Sequence, residues 1–234
     1  MLRILQPFEI FQKAASSVCI WLNGEPTAIG KRAEIIWNDA KYRVATDGAI
    51  NEIQKRSNDV HWPHIVCGDF DSLDKQIDVK SAKLVHLPDQ DKTDLTKAIE
   101  LCLERQKSEE WKFDRIVLLG GLNGRFDHTM STLSSLMTFV EFPVFVLDAS
   151  NLVMAVSEGE SLIDLNLPMC TKMCGIIPLA QKPTIVTSKG LKWELAAHSL
   201  EFGKLISSSN EVTTDQISFN SNAHLMFTIE LVSN

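Results

Sequence analysis

The feature that most constrains this fold is a change of rhythm near residue 150. Before it, short apolar runs at 18–22, 42–45, 64–67, 83–87, 114–119 and 144–147 alternate with helical periods. Those periods are Ile29, Ala33, Ile36 and Trp37, then Ile50 and Ile53, then Leu95, Ala98, Ile99 and Cys102, then Phe126, Met130, Leu133, Met137 and Val140. Strands alternating with helices imply a mostly parallel α/β sheet. Beyond residue 150 no long helical period remains. β-prone runs at 152–156, 161–165, 174–178, 184–187, 191–195, 204–206, 212–219 and 224–232 are separated by Gly, Pro, Ser and Asn, the pattern of a sandwich or barrel. The expected division is therefore an α/β domain over residues 1–150 and an all-β domain over residues 151–234.

Polar and acidic turns fall at the ends of the predicted strands, the edge where parallel sheets bind ligands. In His64-Ile65-Val66-Cys67-Gly68-Asp69-Phe70-Asp71-Ser72-Leu73, an apolar strand stops at glycine and two aspartates follow. If the chain stays extended through Asp71, a period of two puts both carboxylates on one side. A pair of carboxylates suits Mg²⁺, which keeps several waters and takes one or two carboxylates plus substrate phosphates. A capped turn, with Asp71 and Ser72 closing the next helix, explains a lone pair equally well.

A second acidic turn, Pro88-Asp89-Gln90-Asp91-Lys92-Thr93-Asp94, shifts the balance. Helix-dipole complementarity, with Thr93 or Asp91 as N-cap, contributes roughly 0.3–1 kcal/mol. Two carboxylates about 5 Å apart repel by roughly 3 kcal/mol at an effective dielectric near 20. Convergence of Asp69, Asp71 and Asp94 thus calls for a cation. The third turn, Gly120-Gly121-Leu122-Asn123-Gly124-Arg125-Phe126-Asp127-His128, aims backbone N–H groups at an anion from a helix N-terminus. It matches neither a Walker A loop nor G-x-G-x-x-G. Arg125 adds a fork suited to phosphate, and Asp127 a group able to accept a proton.

The net charge of −7 argues against a broad nucleic-acid or anionic-membrane surface, and no apolar run reaches the length of a membrane helix. Five cysteines, an odd number lying mostly in apolar segments, suggest a reducing cytosol. Cys170 and Cys174 lack a second pair to complete a zinc site, and His61 and His64 only flank a Trp-Pro turn. For Trp193 and Phe227 a place in the core is expected ahead of stacking on a ligand. Ser207-Ser208-Ser209-Asn210 reads as a polar hairpin loop. Residues 1–15 suggest no element.

GDFDSL, PDQDKTDLTKAI and GGLNGRFDH, in this order and spacing, closely resemble the thiamine pyrophosphokinases; TDGAIN, CGIIPLAQ, TSKGLKWEL and LISSSN extend the resemblance from about Val18 to Leu231. It implies a three-layer α/β/α domain followed by a β-sandwich, in a homodimer whose active sites lie between the two chains. It implies transfer of the pyrophosphoryl group of ATP to the hydroxyl of thiamine, giving thiamine diphosphate and AMP. By position it implies Asp69, Asp71 and Asp94 as Mg²⁺ ligands supported by Asp47, with Asn23, Thr93, Gly121 and Arg125 around the nucleotide phosphates. Gln90 and Asp127 would lie near the transferred group or the substrate hydroxyl, and Ser207, Ser209 and Asn210 would hold the thiamine pyrimidine. Ala49 stands where the family usually has glycine, which a negative φ would permit, and Phe227 where many members have Trp. Two other readings stay open: a haloacid-dehalogenase-type phosphatase using Asp69-Phe70-Asp71, and a nucleotide sensor without catalysis.

Overall fold

The computed structural model describes residues 2–24, 30–73 and 81–233. The strands are β1 (Arg3–Leu5), β2 (Ser17–Trp21), β3 (Tyr42–Thr46), β4 (Ile65–Gly68), β5 (Lys83–His86), β6 (Arg115–Leu119), β7 (Val144–Leu147), β8 (Asn151–Val156), β9 (Gly159–Asp164), β10 (Cys170–Ile177), β11 (Thr184–Lys189), β12 (His198–Leu200), β13 (Ser207–Glu211), β14 (Gln216–Ser221) and β15 (Leu225–Leu231). The helices are α1 (Gly30–Asp39), α2 (Ala49–Lys55), α3 (Asp94–Lys107) and α4 (Phe126–Thr138). Two compact units result. One comprises Ile10–Ser135 with Val146–Ala149, the other Met1–Glu9, Leu136–Phe145 and Ser150–Asn234.

In the first unit β6-β2-β3-β4-β5 lie side by side, every neighbouring pair parallel. Their C-terminal ends therefore share one edge. Chain order reverses beside β2, which has β3 on one side and β6 on the other, and such a switch point opens a crevice at that edge. Every residue of β2 and β6 is buried, as for parallel strands covered on both faces. Trp21 meets Trp37 of α1 edge to face, ring centroids 5.2 Å apart. The predicted stripe Leu95, Ala98, Ile99 and Cys102 is the buried face of α3. Ile29 of the first predicted period lies outside the described residues. Ala49 sits in α2, with a φ outside the left-handed region.

The period from Phe126 marks a helix, as α4 shows, but not its buried face. Phe126 is 74% exposed and Met130 40%, whereas α4 buries Thr132, Ser135 and Leu136. The sequence period marks an apolar stripe without saying what covers it.

The second unit is strand-rich. β1-β9-β14-β11-β12 form one sheet, with β1 parallel to β9 and the other pairs antiparallel. β13, β10, β15 and β8 form an antiparallel succession. Phe219 of β14 and Phe227 of β15 join the two, centroids 5.8 Å apart, so this is a sandwich, and Phe227 is core as expected.

Three local expectations change here. Arg3–Leu5, to which the sequence assigns no element, extends a sheet edge through pairing with Ser161–Ile163. Residues 191–195 form a turn organised by Glu194, whose carboxylate accepts from Gly190 N (2.7 Å), Leu191 N (3.1 Å) and Ser188 Oγ (2.7 Å). The predicted strand at 204–206 gives way to Ser207–Glu211, which pairs with β10, so the supposed hairpin loop is itself a strand. Among the described residues no helix is long and apolar enough to cross a membrane.

Candidate active site

β3 and β4 end side by side, and the first acidic groups gather there. Gly68 has φ 152°, and a Cβ at this position would lie 2.8 Å from Asp47 Cγ. Only glycine lets the Asp47 side chain pass so close to β4. Asp47 is buried and accepts from Gly48 N at 2.7 Å and Ser72 N at 3.4 Å. The chain does not stay extended through Asp71. Phe70 adopts φ 68°, its ring against His86 (5.5 Å), and the turn closes with Asp71 N donating to Asp69 Oδ1 at 3.1 Å. A bulky left-handed residue is uncommon and needs such tertiary support. Carboxylate oxygens of Asp47, Asp69 and Asp71 consequently come within 4.8 Å of one another. A tight turn thus does what strand periodicity was expected to do.

Asp94 is not one of those three. It opens α3, and its Oδ1 faces Lys97 Nζ at 2.8 Å. Thr93 is the N-cap, its hydroxyl accepting from Thr96 N at 3.3 Å. Gln90 reaches across and donates to Asp69 Oδ2 at 2.9 Å. Electrostatics bear the imprint of this crowding. Burial, with a smaller contribution from the charges of Asp94 and Asp69, pushes the Asp47 carboxyl up. Hydrogen bonds from Gln90 and from the Asp71 amide hold the Asp69 carboxyl down.

The glycine turn lies across the switch point. Gly120, Gly121 and Gly124 all have positive φ, and a Cβ on Gly121 would meet Leu22 Cδ1 at 2.8 Å and Thr132 Oγ1 at 2.9 Å. Gly120 N donates to Leu147 O and Leu22 N to Leu119 O, fixing the turn to the strand ends. Asn23 N donates to Thr46 Oγ1 at 3.3 Å. Arg125 Nε and Nη2 both pair with the Asp127 carboxylate, and this pairing lowers the Asp127 pKa. A carboxylate so held is a weak base.

A cavity of about 410 Å³ is lined by Asn23, Asp47, Asp69, Thr93, Asp94, Gly121 and Asp127 among the expected residues. Asp71 and Gln90 join it through Asp69, and Arg125 through Asp127. Sequence reasoning missed Lys97, Ser131 and Thr132 in its walls. Ser131 and Thr132 lie four and five residues beyond Asp127 on α4, a helical spacing that marks them as neighbours of the glycine turn.

In the strand-rich unit a second cleft, of about 660 Å³, is lined by Trp193, His198, Leu205, Ser207, Ser209 and Asn210. Trp193 is 55% exposed, which overturns its expected core place and leaves a ring face open to a flat ligand. Asn210 is buried, and its amide is engaged with the chain: Oδ1 accepts from Trp193 N (3.2 Å) and Glu211 N (2.8 Å), while Nδ2 donates to Trp193 O (2.9 Å) and Ser207 Oγ (3.2 Å).

Comparison with known proteins matches residues 33–146 to the model of the thiamin pyrophosphokinase catalytic domain and residues 160–226 to that of the thiamin pyrophosphokinase vitamin B1 binding domain. Thiamin pyrophosphokinase 1 of Caenorhabditis elegans is 64% identical over 233 residues, 99% of this chain and 96% of that protein. Thiamine pyrophosphokinase 1 of Oryza sativa is 28% identical over 217 residues, 85% of this chain and 82% of that protein. In fold, the solved thiamin pyrophosphokinase from Candida albicans superposes with a TM-score of 0.85 at 22% identity, covering 99% of this chain and 93% of that one. Neither a phosphatase nor a nucleotide sensor finds support in these matches. The chain belongs to the thiamin pyrophosphokinase family.

Proposed function

We propose that this protein is a thiamine diphosphokinase, transferring the pyrophosphoryl group of ATP to the hydroxyl of thiamine. The hydroxyl oxygen bonds to the β-phosphorus, the bond from that phosphorus to the α–β bridging oxygen breaks, and AMP leaves. The observation that carries this reading is the convergence of acidic side chains on a cavity that Gly121 of the glycine turn also lines. Hard oxygen donors with mutually repelling charges fit Mg²⁺. Asp69 and Asp71 with Asp47 would hold it, and Asp94 would complete the set. When bound, Mg²⁺ neutralises charge on the phosphates and the leaving AMP.

The remaining assignments rest on placement. Thr93, Gly121, Asn23 and Arg125 hold the nucleotide phosphates, and Gln90 orients Asp69 toward the transferred group. Asp127 accepts a hydrogen bond from the hydroxyl and orients it, and the proton passes to solvent, since pairing with Arg125 makes Asp127 a poor base. Asp127→Asn is accordingly expected to cost less than the roughly 10²–10⁴-fold of a lost general base, read from kcat. A loss in that range would make Asp127 the base.

We assign ATP and metal to residues 1–150, thiamine and dimerisation to residues 151–234. Trp193 stacks on the pyrimidine, Ser207 and Ser209 bond its edge, and Asn210 holds Trp193 in place. Exposed Phe126 and Met130 on α4, and Phe202 and Leu205 in the strand-rich unit, support a homodimer with shared active sites. Five free, buried cysteines support a cytoplasmic setting. The deciding experiment incubates the protein with Mg²⁺-ATP and thiamine. AMP and thiamine diphosphate are expected, and ADP with thiamine monophosphate would refute direct pyrophosphoryl transfer.

A further inference from the structure

Lys97 looks in the sequence like one more solvated helix lysine, yet its side chain is only 5% exposed. An ammonium has three protons to give. Here Nζ donates to Leu87 O at 2.9 Å and to Asp89 O at 3.1 Å, and forms an ion pair with Asp94 Oδ1 at 2.8 Å. The two carbonyls flank Pro88, immediately before Gln90, which bonds Asp69. The turn is tied at its start as well, Leu87 N donating to Gly68 O at 2.8 Å. The other lysine lining the cavity, Lys92, is committed to Glu100 through both carboxylate oxygens.

We propose that Lys97 is a positioning residue of this active site, a fixed internal cation that clamps the turn from Leu87 to Asp94 and orients both Asp94 and Gln90. The proposal rests on the function proposed above. Its physical logic is that carboxylates gathered around one cavity repel before any divalent ion arrives. An ammonium buried beside Asp94 offsets part of that repulsion, and its two hydrogen bonds to the Leu87 and Asp89 carbonyls keep the turn from relaxing outward. Lys97 stands behind the carboxylates and acts on the reaction through them.

The test compares Lys97→Arg and Lys97→Met with wild type. Arginine keeps the charge but spreads its donors over a planar fork, so it cannot place two hydrogen bonds and an ion pair at one point. Methionine keeps the stem and removes the charge. Amide hydrogen exchange of the metal-free proteins is read over residues 87–94, and kcat and the thiamine KM are read with Mg²⁺-ATP. Both variants are expected to lose protection over 87–94 while β2 and β3 keep theirs. Loss of a supporting partner of this kind costs about 10–100-fold, here in kcat, with the thiamine KM unmoved. A folded variant with wild-type protection of the turn, or with wild-type kcat, overturns the proposal. So does failure of both variants to fold, since Lys97 would then serve the fold as a whole. A wild-type protein that makes no AMP overturns the function instead, and the exchange comparison then decides the role of Lys97 by itself.

Discussion

Asp69→Asn is expected to lower kcat by about 10²–10³-fold, the scale on which loss of one preorganised charge-stabilising group acts. Asp69 is the hub of the acidic site. Its Oδ1 accepts from the Asp71 amide, its Oδ2 accepts from Gln90, and it lies among the three carboxylates that converge. Asparagine has the same shape and retains Oδ1 for the Asp71 amide. Gln90 can rotate its own amide to present an oxygen to the new Nδ2. The turn therefore survives, and the thermal midpoint should stay within a few degrees of wild type, because no buried group loses its partner. What disappears is one negative charge at the proposed metal site. The half-saturating Mg²⁺ concentration should rise alongside the fall in kcat, and the thiamine KM should not move. Wild-type turnover in Asp69→Asn would remove this residue from the metal site and leave Asp47 and Asp71 as its core.

The parts of this site that were legible in the sequence are those fixed by local rules. The strand ending at Gly68, the Thr93 cap and the buried stripe of α3 follow from periodicity and capping, and the structure has all three. The parts that were not legible depend on contacts between distant segments. Nothing local marks Phe70 as left-handed, because its support is the ring of His86 on the neighbouring strand. Asp47 joins the acidic group because Gly68 lets it approach, a relation between two strand ends rather than within a motif. Nothing in the helical period marks Lys97, because a period cannot see the carbonyls of the preceding turn. Ser207–Glu211 reads as a loop because a strand with one solvated face needs no apolar residues on it. The apolar stripe of α4 was legible as a stripe, yet Phe126 and Met130 on it are exposed, which periodicity does not tell.

Asn210→Ala should be the most destabilising change in the cleft of the strand-rich unit, at roughly 2–3 kcal/mol, because buried hydrogen-bonding groups left unmade cost about 1–3 kcal/mol each. For a chain of this size that corresponds to roughly 4–12 °C in Tm. The alanine strands the partners of four hydrogen bonds at once: Trp193 N, Trp193 O, Ser207 Oγ and Glu211 N. Two of these belong to Trp193, so the ring that faces the cleft loses the tie that fixes its backbone to β13. The thiamine KM should therefore rise, with the Mg²⁺ dependence unchanged, because nothing in the acidic site is touched. Trp193→Ala separates the two consequences. Its side chain is 55% exposed and stabilises little by burial, so this variant should raise the thiamine KM while leaving Tm near wild type. If Asn210 instead bonded thiamine directly, Asn210→Ala would raise KM further in a Trp193→Ala background. If Asn210 acts by holding Trp193, the double variant should show no further rise in KM beyond Trp193→Ala, because two residues acting through one contact are not additive.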